Sequence, residues 1–107
     1  MPPAALLALA ISAEVLGTVA LRMSDGFSKP LPSVAAIVGY VLAFALLAPV
    51  LKELDLGLVY AIWAGVGTAV IAVIGVLAWG EPAGAIKLLS IGAVILGVVG
   101  LNLSGAR

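Results

Sequence analysis

The chain contains no cysteine and no histidine, and only 9% of its 107 residues are charged. Without cysteine there are no disulfides, no thiol chemistry and no thiolate ligands. Without imidazole the common transition-metal and haem sites are excluded as well. Charge is balanced as well as scarce: five Lys and Arg against five Asp and Glu give a formal net charge of zero. No basic patch remains to attract nucleic acid or an anionic surface. Aromatics are limited to two each of Trp, Tyr and Phe, so the positions they occupy carry information.

Apolar residues make up 64% of the chain, and its mean hydropathy is +1.36. A soluble domain typically has about 25% charged residues, far more than this sequence could place on a surface. The chain therefore reads as an integral membrane protein. Nine of the charged side chains (Arg22, Asp25, Lys29, Lys52, Glu53, Asp55, Glu81, Lys87 and Arg107) lie in or beside the gaps between apolar runs, or at the C-terminal end. Glu14 is the exception. An ionised side chain at the centre of a bilayer costs roughly 2.5–3.5 kcal/mol on insertion scales, and a residue kept at that cost has a function by default.

Crossing a hydrocarbon core of about 30 Å takes about 20 helical residues. Four runs have that length: 4–21, 33–51, 57–79 and 85–104. They are continuous and lack the alternation of a barrel strand, and four strands could not close a barrel without leaving an edge in lipid. The expectation is an all-α membrane protein, one four-helix transmembrane domain over residues 1–107. The first run lacks a basic leading segment and carries Glu14, so it reads as a retained helix rather than a signal peptide. The breaks are short: Ser24 to Pro32 holds one Gly and two Pro, Lys52 to Gly57 follows Pro49, and Gly80 to Gly84 reads GEPAG. Connections this short make successive helices antiparallel.

Positive charge in short loops sets orientation. With four spans, Lys52 and Arg107 share one side while Arg22, Lys29 and Lys87 share the other. Two against three is almost no instruction, and the pattern predicts insertion in both orientations. The alternative is that the one-residue bias, or the terminal amine, selects a single orientation.

On a helix, Ala10, Glu14, Gly17, Thr18 and Leu21 share one face. The small neighbours leave room around the carboxylate, either for close helix packing or for a ligand. Tyr60 and Trp63 are three apart on the third span, and Tyr40 and Phe44 four apart on the second. Aromatics at span ends, such as Phe27 and Trp79, fit an interfacial belt. Trp63 and Tyr40 sit deeper, and aromatic faces near a carboxylate can form a box for a lipophilic cation. For Trp63 the box is favoured; Tyr60 and Tyr40 fit both readings. Gly65 and Gly67 weaken a helix by about 1 kcal/mol each relative to Ala, and serve either packing or a hinge. Ser90 and Gly97, seven apart on the last span, provide a small face for a contact within the chain or with a second copy.

The segments AEVLGT (13–18), SDGFSKPLPS (24–33), GLVYAIWAGVG (57–67) and GEP (80–82) together resemble the small multidrug resistance family, in order and across essentially the whole chain. The resemblance implies an antiparallel, dual-topology homodimer in a bacterial inner membrane that exports organic cations in exchange for protons, without a cofactor. It implies that Glu14 is the shared proton and substrate site, that Trp63, Tyr60, Tyr40, Ala10, Gly17 and Thr18 line it, that Gly65 and Gly67 flex, and that Ser90 and Gly97 form the dimer contact. Ala10, Gly17 and Tyr40 are similar to the quaternary-ammonium and multidrug branch rather than the guanidinium branch. Ala43 departs from the Ser usual in both, which removes a hydroxyl near the carboxylate. The alternatives are a guanidinium exporter, one subunit of a heterodimeric exporter, or a non-transporting partner. A rotary proton-carrying ring subunit fits poorly, since such subunits have two spans.

Overall fold

A computed structural model describes residues 1–104; Arg107, counted in the charge balance above, lies outside the described residues. Four helices follow in order: α1 (Pro3–Met23), α2 (Pro30–Val50), α3 (Leu56–Trp79) and α4 (Ala85–Leu103). No strand occurs among the described residues. At 1.5 Å per residue the helices are about 28–36 Å long, and all four are long and apolar enough to cross a bilayer. The protein is multi-pass.

The expected spans hold to within three residues at each end. The largest difference is the start of α2, which begins at Pro30 and takes both prolines of the first break into its first turn. Proline is tolerated there because its missing N–H would have no intrahelical partner. Pro49 lies inside the last turn of α2. The third break follows from Gly80, whose left-handed backbone (φ 63°) closes α3 while Gly80 N–H and Glu81 N–H donate to Val76 and Gly75 carbonyls. Pro82 then prevents continuation.

The first break is more tightly built than its composition suggests. Asp25, Gly26 and Phe27 all have positive φ (50°, 69° and 67°), a region that costs a non-glycine residue about 1 kcal/mol or more. Ser24, fully buried, holds the turn. Its Oγ donates to Leu21 O (2.6 Å) and accepts from Phe27 N–H (3.0 Å), and its carbonyl accepts from Lys29 N–H (3.0 Å).

The chain divides into two compact units, Met1–Glu53 and Leu54–Arg107, each one helical hairpin. In the first, small residues let α1 and α2 approach backbone to backbone. A Cβ on Gly39 would fall 2.8 Å from Gly17 Cα and 3.0 Å from Ala13 O, and one on Gly17 would meet Ala36 O at 3.3 Å. Ala10, Ala13, Gly17, Ala36 and Ala43 are all buried. In the second, Gly65 faces the side chains of Val94 and Val98 on α4. None of the α4 residues is buried.

Candidate functional site

Glu14 lies about 17 Å along the axis from the start of α1 and about 14 Å from its end, so the carboxylate sits near mid-span. It is half-buried, as are Thr18 one turn on and Tyr40 on α2. Thr18 Oγ donates to Glu14 Oε1 (3.3 Å), and the same oxygen lies 2.8 Å from Tyr40 Oη. The hairpin thus assembles a chain of three polar groups within a largely apolar helix pair, while the nearby Ser12 hydroxyl donates to Ala8 O within its own helix. The register explains it. Gly17 and Gly39 touch through their backbones, and Thr18 and Tyr40 are the next residue on each helix, so the glycine contact places the two hydroxyls opposite each other.

The other residues expected to line the site occupy different surroundings. Ala10 is fully buried and Gly17 is buried against α2. Ala43 is fully buried as well, and the antiparallel register, with Gly39 against Gly17, sets it near the level of Ala13, beside Glu14. A methyl group there adds no donor or acceptor, which leaves Thr18 as the side chain that donates to Glu14. Tyr60, Trp63, Gly65 and Gly67 belong to the second unit. Tyr60 is 72% exposed and Trp63 half-buried, one turn apart on α3. The helix runs unbroken through Gly65 and Gly67, both buried. Ser90 and Gly97 are exposed on α4, and a Cβ on Gly97 would meet nothing within 4 Å. A shallow apolar groove between α3 and α4 is lined by Ala72, Val76, Leu88 and Ile91, with Lys87 at one end. Lys87 Nζ donates to Pro82 O (3.1 Å) and pairs with Glu81 (3.8 Å). Among the described residues no group of three His, Cys, Asp or Glu could hold a metal.

Sequence reasoning passed over Gly39. Its signal was present: Ala36, Gly39 and Ala43 repeat at three and four residues and make a small-residue stripe on α2.

A half-buried mid-span carboxylate with a hydroxyl aimed at it, in a chain whose four helices can each cross a bilayer, makes the first hairpin the candidate site. The family model for the Small Multidrug Resistance protein matches residues 4–95. The chain belongs to the small multidrug resistance family. Similar proteins include a multidrug transporter of Pseudomonas aeruginosa, 43% identical over 91% of this chain and 88% of the relative. The nicotine metabolites export pump subunit NepA of Paenarthrobacter nicotinovorans is 48% identical over 95% of this chain and 88% of its own length. The multidrug resistance protein EbrB of Bacillus subtilis is 45% identical over 94% and 86%.

Proposed function

We propose that the protein is a proton-coupled antiporter that exports lipophilic organic cations, quaternary ammonium ions among them, across a bacterial inner membrane, working as an antiparallel homodimer. The observation that carries this reading is Glu14, held at mid-span with Thr18 donating to it. A carboxylate there accepts either a proton or a cation, never both, and that exclusion couples the two fluxes. Two copies bring two Glu14 side chains to one chamber. A cation binds the deprotonated pair against the faces of Trp63 and Tyr60, whose ring quadrupoles favour a large, weakly hydrated charge. Protons arriving from outside displace it. Tyr40 and Thr18 border the chamber, while Ala10 and Gly17 serve it by letting α2 close on α1. Gly65 and Gly67 give α3 the freedom to exchange two conformations, and in an antiparallel pair that exchange turns an inward-open site outward.

Assembly is supported by α4, where no residue is buried and Leu89 and Leu96 are 74% and 73% exposed. Ser90 and Gly97 would allow a partner's helix to approach closely there. The weak positive bias of the loops supports insertion both ways. A single cysteine placed at Glu53 should therefore be labelled by a membrane-impermeant maleimide from both faces; labelling from one face alone contradicts dual topology. The name of NepA, a pump subunit, favours a second reading in which this chain needs a related partner. Resistance of cells expressing this chain alone separates the two, since a partner-dependent subunit confers none. Guanidinium export is the substrate alternative, and currents with guanidinium but not tetramethylammonium would establish it. For the mechanism itself, Glu14→Gln in proteoliposomes on a solid-supported membrane should give no cation-evoked current. Retained proton-coupled current would defeat it.

A further inference from the structure

Thr18 Oγ carries one hydrogen and stands between Glu14 Oε1 (3.3 Å) and Tyr40 Oη (2.8 Å). An ionised carboxylate can only accept a hydrogen bond. Thr18 must then give its hydrogen to Glu14, and its contact with Tyr40 can be made only by Tyr40 donating. Both hydrogens therefore point towards the negative charge, and each bond polarises the next. When Glu14 is protonated the order can reverse: Glu14 donates to Thr18, Thr18 donates to Tyr40, and the phenol hydrogen is released from the chain.

We infer that Tyr40 and Thr18 form a directional hydroxyl relay that stabilises the ionised form of Glu14, with Tyr40 acting through Thr18 as a positioning residue. The inference rests on Glu14 being the exchange site proposed above. The relay is built into the hairpin, because the Gly17–Gly39 contact fixes the step between the two hydroxyls. Other charges do not substitute for it within this unit. On α1 and α2, besides Glu14 and Tyr40, the one charged or titratable side chain is Arg22, eight residues beyond Glu14 and about 12 Å along the axis. Ala43 offers no hydroxyl, so the support reaching Glu14 from α2 passes through Thr18.

The test is tetraphenylphosphonium binding to the purified full-length protein in detergent across a pH series. With the probe held at the same multiple of each variant's high-pH dissociation constant, it yields two quantities: the affinity at high pH, where protons no longer compete, and the pH at which protons displace half the probe. Removing a hydrogen bond that favours the ionised form leaves protons better competitors. Thr18→Val should move the displacement midpoint upward by about 1–2 pH units, the range given by a hydrogen bond to a charged group. Tyr40→Phe should move it the same way by less. The double variant should shift no further than Thr18→Val, because Tyr40 acts only through Thr18, and Thr18→Ser should restore the wild-type midpoint. An unmoved midpoint with weakened high-pH affinity would make both residues simple lining, and additive shifts would make them independent; either overturns the relay. Failure of the underlying reading is visible separately, as Glu14→Gln that still binds tetraphenylphosphonium in competition with protons.

Discussion

The two hairpins are made from similar materials, yet they use their small residues differently. In α1–α2, glycine and alanine of one helix meet glycine and alanine of the other, so closely that no side-chain atom fits between Gly17 and Gly39. In α3–α4 the contact at Gly65 is to valine side chains, and Gly92, Gly97 and Gly100 on α4 face nothing within 4 Å. Lipid is as apolar as leucine, so apolar side chains gain little by meeting each other in the bilayer; close association comes from backbone approach and polar bonds. The first hairpin has both, and its seam brings together Glu14, Thr18 and Tyr40. The second buries Gly65 and Gly67 of α3 and leaves the glycines of α4 uncovered.

The comparison can be broken most severely at Gly39. Gly39→Leu must push α2 off α1, because the atoms it meets are backbone and cannot rotate away. Overpacking of this kind costs about 1–3 kcal/mol or more, and detergent-solubilised protein should melt markedly earlier and lose cation binding. Gly97→Leu, by contrast, should leave the melting of the single chain within about 0.5 kcal/mol of wild type and weaken self-association, read by crosslinking or mass photometry. Equal losses from both variants would erase the distinction between the hairpins. An effect smaller than that of Gly39→Leu is expected at Gly65→Ala. The added Cβ would lie 2.5 Å from Val98 Cγ2 and 3.2 Å from Val94 Cγ1, and a valine can turn where a backbone cannot. The cost should stay near 1 kcal/mol, with transport slowed more than binding if α3 flexes at this point. Binding lost with transport intact would contradict that role.

These contrasts also explain what the sequence reveals. Helix number and approximate ends follow from length and hydropathy, and the start of α2 differs most, because proline is as acceptable in a first turn as in a loop. Glu14 is conspicuous by its charge. The pairing of Thr18 with Tyr40 was not legible, since they stand 22 residues apart and nothing local fixes which residue of α2 faces Thr18. Gly39 sets that register, and a lone glycine in an apolar span looks the same whether it faces lipid or another backbone. The grouping of Tyr60 and Trp63 with Glu14 rests on the depth of Trp63 in its span and on family resemblance, because they lie in separate units.

The central claim is that one carboxylate serves proton and cation in turn. Adding tetraphenylphosphonium to wild-type protein in weakly buffered detergent should release protons, to an extent that falls as the starting pH rises, and Glu14→Gln should release none. Proton release from Glu14→Gln equal to wild type would contradict the account, as would cation binding by the wild type with no proton released at any pH.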